Sequence, residues 1–149
     1  MSDQLSIRSA VPADFDLWLP LWEGYNTFYQ RTVPLEVTRM TWSRFFDACE
    51  PMHAVVAERD GKLLGLVHYL FHRNTAMLAP TCYLQDLFTW ATTRGQGIGS
   101  ALIEAVYERA QAAGSSRVYW MTQESNVTAR KLYDKVAERS GFIQYRRQF

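Results

Sequence analysis

Leu84-Gln85-Asp86-Leu87-Phe88-Thr89-Trp90-Ala91-Thr92-Thr93-Arg94-Gly95-Gln96-Gly97-Ile98-Gly99-Ser100 is the stretch on which the fold turns. Its first part belongs to a strand-like run, Cys82 to Thr89. At its far end a helix opens. Ile98, Ala101, Leu102, Ala105, Val106, Ala110 and Ala113 keep one apolar stripe until Gly114 supplies a stop. Between strand and helix, Gly95, Gly97 and Gly99 alternate, so backbone amides can approach a ligand with no Cβ in the way. The unpaired amides and positive dipole end of the helix add to this, and a pyrophosphate can be held there with a charge-assisted contact from Arg94. The loop is not a P-loop, because Ser100 follows Gly99 with no lysine between them. Nor is it GxGxxG, and no acidic residue closes a strand at the distance a dinucleotide fold needs. On these residues alone, a tight turn that needs glycine only for steric reasons explains the loop equally well.

Upstream, Leu5–Ala10 alternates like a short strand. Pro12 suits the first turn of a helix, with Asp14 and Asp16 near its positive end. Phe15, Trp18, Leu19, Trp22, Tyr25 and Tyr29 recur at helical spacing, and Pro20 should kink or divide that helix. A second helix is expected from about Leu35, with Thr38, Thr41, Trp42, Phe45 and Cys49 as its stripe and Pro51 closing it. Ala54–Glu58 leads to the hairpin turn Asp60-Gly61, and the return strand runs from Lys62 to about His72. Downstream, Arg117–Met121 reads as a strand. Asn126 can cap a helix whose face is Ala129, Leu132, Tyr133, Val136 and Ala137, and Gly141 ends it. Phe142–Phe149 then reads as a final strand. The order β-α-α-β-β-β-α-β-α-β makes an α/β layered domain with a mixed sheet. No repeat or linker divides the chain, so residues 1–149 read as one domain.

Composition narrows the function classes. The 48% hydrophobic and 21% charged content is that of a soluble globular protein. A net charge of +1 with no basic cluster gives no reason to expect nucleic acid or a membrane surface as partner. Cys49 and Cys82 form no metal-like or disulfide pattern, and Cys82 reads as a buried thiol. His53, His68 and His72 show no ligand or triad pattern and read as structural. The N-terminus carries no signal-like pattern, and Leu63–Phe71 is about half the length of a membrane span, so a cytoplasmic location is expected.

Arg94-Gly95-Gln96-Gly97-Ile98-Gly99 matches the (Gln/Arg)-x-x-Gly-x-(Gly/Ala) signature of the GNAT superfamily of N-acetyltransferases. Leu84–Phe88 resembles that family's central strand, Asn126-Val127-Thr128-Ala129-Arg130-Lys131-Leu132-Tyr133 its "Asn, Ala, Tyr" helix, and Ser140-Gly141-Phe142 the approach to its last strand. The likeness spans residues 84–142, and the element order matches over nearly the whole chain. Within the family, the Trp22…Tyr25…Tyr29 run and the Leu84–Phe88 strand are most similar to small bacterial and yeast enzymes related to polyamine and histone acetyltransferases.

The resemblance implies a GNAT-like, mostly antiparallel mixed sheet flanked by helices, acetyl-CoA as cofactor, and direct attack of a primary amine on its thioester. It places the cofactor on Arg94, Gly95, Gln96, Gly97, Ile98, Gly99 and Ser100, on the backbone of Leu87, Phe88 and Thr89, and on Asn126, Ala129 and Tyr133. Fixed backbone donors aimed at a developing oxyanion accelerate such chemistry. Tyr133 takes the position of the family's general acid, and a phenol with a pKa of about 10 can protonate a departing thiolate. Trp22, Tyr25 and Tyr29 fall where the family builds its acceptor pocket, although core packing accounts equally well for Tyr25 and Tyr29.

The proton acceptor is the gap. Polyamine-type relatives carry glutamate where this chain has Gln85, which cannot take a proton and is expected to position the substrate or a water. Asp86 is adjacent, but strand alternation points it to the opposite face; Glu124 is a weaker candidate. A small-molecule amine is the favoured acceptor. The alternatives are a protein lysine or N-terminus and a CoA-binding sensor without turnover. Similar enzymes are often homodimers, and Phe142–Phe149 could pair across such an interface.

Overall fold

Asp60 and Gly61 both adopt positive φ, 51° and 72°, the left-handed pair that a two-residue hairpin turn requires. They join β2 (Met52–Arg59) to β3 (Lys62–His72), the centre of the sheet. In the computed structural model, residues 4–149 are described. β1 (Ser6–Ser9) pairs antiparallel with β2, and β4 (Thr81–Thr89) pairs antiparallel with β3 along its length. β5 (Val118–Tyr119) adds the one parallel neighbour, giving the order β1-β2-β3-β4-β5. The helices are α1 (Phe15–Phe28), α2 (Leu35–Arg44), α3 (Ile98–Ala112) and α4 (Val127–Val136), with short 3-10 turns at Pro12–Asp14 and Ala91–Thr93. The expected α/β fold, a mixed and mostly antiparallel sheet flanked by helices, is the one observed.

Strand alternation divides the sheet into two faces, each with its own core. On one face Val55, Ala57, Val67, Tyr69, Cys82 and Leu84 meet Ile98, Leu102, Ile103, Val106 and Ala110 of α3. On the other, Ala54, Val56, Leu63 and Leu66 meet Trp18, Leu21, Trp22, Tyr25 and Trp42 from α1 and α2. Burying side chains of this size stabilises the fold by about 1.5–3 kcal/mol each. Gly65 lets the layers approach: a Cβ there would lie 3.0 Å from the Phe88 carbonyl oxygen and 3.1 Å from Leu102. Ahead of α1, Asp14 is buried between both nitrogens of the Arg8 fork, at 2.8 and 3.0 Å, and the Val11 amide. The Arg8 hydrogen bonds hold its carboxyl below the usual carboxylate range against the opposing effect of burial.

Several local expectations are corrected. Pro20 does not divide α1, which continues to Phe28. Its ring lies on the exposed side, and the buried anchors Trp18, Leu21 and Trp22 hold both halves against the sheet. α2 ends at Arg44, leaving Cys49 exposed beyond it. β5 spans two residues rather than Arg117–Met121. Asn126 occupies the N-cap position of α4 but makes no side-chain cap; its amide donates to Thr122 Oγ1 at 3.1 Å. α4 stops at Val136, where Tyr107 donates its hydroxyl to the Val136 carbonyl at 2.8 Å and Ala137 turns extended, well before Gly141. The final strand Phe142–Phe149 does not form. A strand there would have only the two residues of β5 as a template, and a ladder that short cannot hold it. Phe142, Ile143, Tyr145 and Phe149 are consequently left exposed.

Candidate active site

The site grows from an irregularity in β4. His68 pairs with Asp86 and Tyr69 with Leu84, so Gln85 is one residue too many for the ladder, a β-bulge. The bulge resets the alternation. Leu84 packs in the α3 core, Asp86 lies beside His68 on the α1 side, Leu87 returns to the α3 core and Phe88 to the α1 core. The expectation that Asp86 faces away from Gln85 is therefore wrong. Both line one cleft of about 80 Å³ with Trp22, Thr41, Phe45 and His68.

Asp86 is 6% exposed, and His68 Nδ1 stands 2.9 Å from its Oδ2. The other ring nitrogen, Nε2, accepts from Trp18 Nε1 at 3.0 Å. Indole can only donate, so Nε2 must offer its lone pair and the imidazole proton sits on Nδ1, directed at Asp86. The Tyr25 phenol also faces this carboxylate. Burial, and then Asp86 itself, hold the phenol far above its ordinary pKa. Tyr25 is buried and Tyr29 half-buried, their rings 5.0 Å apart. Trp22 stacks on Tyr25 at 5.7 Å and donates its indole N–H to Thr38 at 3.0 Å. The Arg31 guanidinium sits over both rings, 5.6 Å from Trp22 and 5.3 Å from Tyr25, steered by a 2.7 Å hydrogen bond from Nε to Asn26.

On its other edge β4 meets β5 only at Cys82 and Tyr83. From Leu84 to Thr89 that edge has no strand partner among the described residues, so Leu87, Phe88 and Thr89 offer open backbone there. Gly95 and Gly97 follow at φ 80° and 77°, each with open space where a Cβ would stand. Gly97 is the N-cap of the fifteen-residue α3, and Ile98, 2% exposed, anchors the first turn in the core while Ser100 follows on the helix. Gln96 pins the loop to the β2–β3 hairpin by accepting from Arg59 Nη1 at 2.7 Å, and Arg94 is exposed. Gly99 allows α4 to approach: a Cβ would lie 3.3 Å from Leu132. An open sheet edge running into a glycine-lined helix N-terminus fits an elongated ligand with a pyrophosphate at one end.

α4 closes the far side. Tyr133 lies edge-on to Trp120 at 5.4 Å, and burial with the neighbouring Tyr29 pushes its phenol up to about 12. Tyr29 thus neighbours both Tyr25, which faces Asp86, and Tyr133. Ala129 is half-buried on the same helix. The Cys82 thiol, raised to about 11 by burial, is inert packing.

The folding therefore puts Trp22 and Gln85 in the wall of the cleft, with Tyr25 stacked on Trp22, Tyr29 packed against Tyr25, and Tyr133 neighbouring Tyr29. Sequence reasoning set Asp86 aside, did not foresee that His68 and Trp18 hydrogen-bond in line with it, and did not single out Arg31. One signal was present: Cys82 and Leu84 keep one phase of the strand and Leu87 breaks it, as a bulge requires.

A strand with one open edge, feeding a glycine loop and helix N-terminus, is an arrangement that suits an acyl-CoA. Residues 18–137 match the acetyltransferase (GNAT) family, and the chain belongs to it. It is 33% identical over 149 residues to the D-amino-acid N-acetyltransferase HPA3 of Saccharomyces cerevisiae, covering 99% of this chain and 92% of that protein. Against the uncharacterized N-acetyltransferase YhfO of Bacillus subtilis it is 25% identical, covering 95% of each. Its fold superposes on the aminoglycoside N-acetyltransferase AAC(6')-Iy, solved in complex with CoA, with a TM-score of 0.86 at 17% identity, covering 99% of this chain and 97% of that one. The protein is an acetyl-CoA-dependent N-acetyltransferase. Among the described residues no helix is long and apolar enough to cross a membrane.

Proposed function

We propose that the protein acetylates the amino group of a small zwitterionic amine, a free amino acid in the first instance, by direct attack on the thioester. The observation that carries this reading is charge placement. Asp86 meets the phenol end of Tyr25, and Arg31 lies over the Trp22 and Tyr25 rings. A carboxylate and a guanidinium thus bracket one aromatic floor, which suits an ammonium and a carboxylate carried on the same molecule. A polyamine would meet Arg31 as a like charge. The likeness to a yeast D-amino-acid N-acetyltransferase supports the same class.

Acetyl-CoA supplies an acetyl group activated as a thioester. The amides of Gly95–Ser100 and the charge of Arg94 hold its pyrophosphate at the start of α3. The open backbone of Leu87, Phe88 and Thr89 holds the extended arm and donates to the carbonyl oxygen as charge develops there. Asn126 and Ala129 line the α4 side. Tyr133, its phenol protonated far above neutral pH, gives its proton to the departing sulfur. Gln85, unable to titrate, orients the amine.

The exposed tail has a place in this reading too. Phe142, Ile143, Tyr145 and Phe149 are 76–111% exposed in one chain, and the outer edge of β5 is unpaired among the described residues. Two copies could each supply the strand that the other lacks, and a homodimer is the proposed assembly. The full chain should elute at twice its 17.3 kDa mass, and removal of residues 142–149 should give a folded monomer. A full-length monomer under the same conditions argues against it.

The activity is checked by CoA-thiol release across D- and L-amino acids, polyamines, aminoglycosides and basic peptides. Strong release with amino acids is expected. Release with basic peptides alone would make the protein a protein acetyltransferase, and acetyl-CoA binding without release would make it a sensor. Tyr133→Phe should lower turnover at least about tenfold with little change in CoA affinity. Unchanged turnover would remove Tyr133 from the mechanism.

A further inference from the structure

Asp86 is a buried carboxylate with no cationic side chain paired to it among the described residues. Among the described residues its only partner within ion-pairing distance is His68, and the Trp18 indole holds that ring with its lone pair on Nε2 and its proton on Nδ1. Tyr25, the other group facing it, brings a phenol rather than a cation. Buried charges are ordinarily paired with a counter-charge, because hydrogen bonds from neutral donors only partly replace the water they lose. Here the carboxylate borders a cleft, so the counter-charge can come from outside.

We propose that Asp86 is the subsite for the acceptor's ammonium group and takes its proton, with His68 as the residue that positions it. This rests on the acetyl-transfer reading above. His68 fastens Oδ2 on one side of the carboxylate, and Trp18 behind His68 prevents the imidazole from turning over. The step balances as follows. The ammonium gives one proton to Asp86 and becomes a free amine. Its nitrogen pair forms the C–N bond to the acetyl carbon, and the C–S bond breaks with its electron pair on sulfur. Sulfur takes the proton of Tyr133. The nitrogen, now cationic, sheds its extra proton to the phenolate and restores Tyr133. The proton on Asp86 leaves through the mouth of the cleft beside Gln85. The sum is one amide, one CoA thiol and one released proton.

The assignment changes the expected acceptor. With Gln85 alone the amine would have to arrive neutral, which suits amines of low pKa, or lose its proton through an ordered water. With Asp86 in the cleft, an amine that is cationic at neutral pH is the better ligand, because it supplies the missing counter-charge.

Three variants of the full chain test this, with D-alanine as the acceptor probe and the amine of highest release in the panel as a second. Asp86→Asn should lower kcat at least about a hundredfold, keep the KM for acetyl-CoA, and weaken D-alanine binding to the CoA-bound protein at least tenfold by calorimetry. His68→Leu, which removes the donor and keeps the bulk, should lower kcat about tenfold. His68→Asn, whose amide nitrogen takes the place of Nδ1, should restore most of that loss, which a purely packing role of the ring would not allow. Asp86→Asn within threefold of the wild type in kcat, or the two His68 variants equally impaired, overturns the inference while the activity stands. If the wild type releases no thiol with any amine, the activity itself falls and calorimetry decides: equal D-alanine affinity in wild type and Asp86→Asn, or no binding by either, overturns the subsite.

Discussion

The site depends on β4 being paired along its whole length on one side and for two residues on the other. A β-strand carries its donors and acceptors on both edges, and a central strand normally spends both on neighbours. Here β3 takes one edge, while β5 takes only Cys82 and Tyr83 before the strands part. The open backbone beyond them lies between two cores and runs straight into the N-terminus of α3. A ligand laid along that edge completes the ladder as an extra strand would, and then reaches a helix end that favours a doubly charged phosphate group.

The single extra residue Gln85 has a second consequence. It turns Asp86 out of the α3 core, where an acid would be intolerable, into a polar pocket built by α1 and α2. Hydrogen bonds run through its wall from Trp18 to His68 and from His68 to Asp86, with Trp22 held separately by Thr38. The aromatic richness of the N-terminal third is therefore split. Trp18 and Trp42 are core, Trp22 faces both core and cleft, and Tyr25 and Tyr29 continue the stack beyond it.

Much of this was legible in the residues. The Asp60-Gly61 turn, the strand–glycine loop–helix unit and the stripe of α3 are local signals, and each stands where the chain announces it. The failures were all tertiary. Pro20 is tolerated because packing outweighs one missing hydrogen bond. Phe142–Phe149 alternates like a strand, but the two-residue β5 is too short an edge to hold it. The partners of His68 were not legible, because they lie 18 and 50 residues away in sequence and only the fold brings them together. Asp86 was assigned to the wrong face because strict alternation does not survive a bulge.

The most direct measurement is an amide ¹H–¹⁵N titration of the protein with CoA. The expected result is that the amides of Leu87, Phe88, Thr89, Gly95, Gly97 and Gly99 move together and saturably, while those of the β2–β3 pairing stay in place. If CoA binds and these amides stay still while others move, the ligand is not held on the open edge of β4, and the account of the site is wrong.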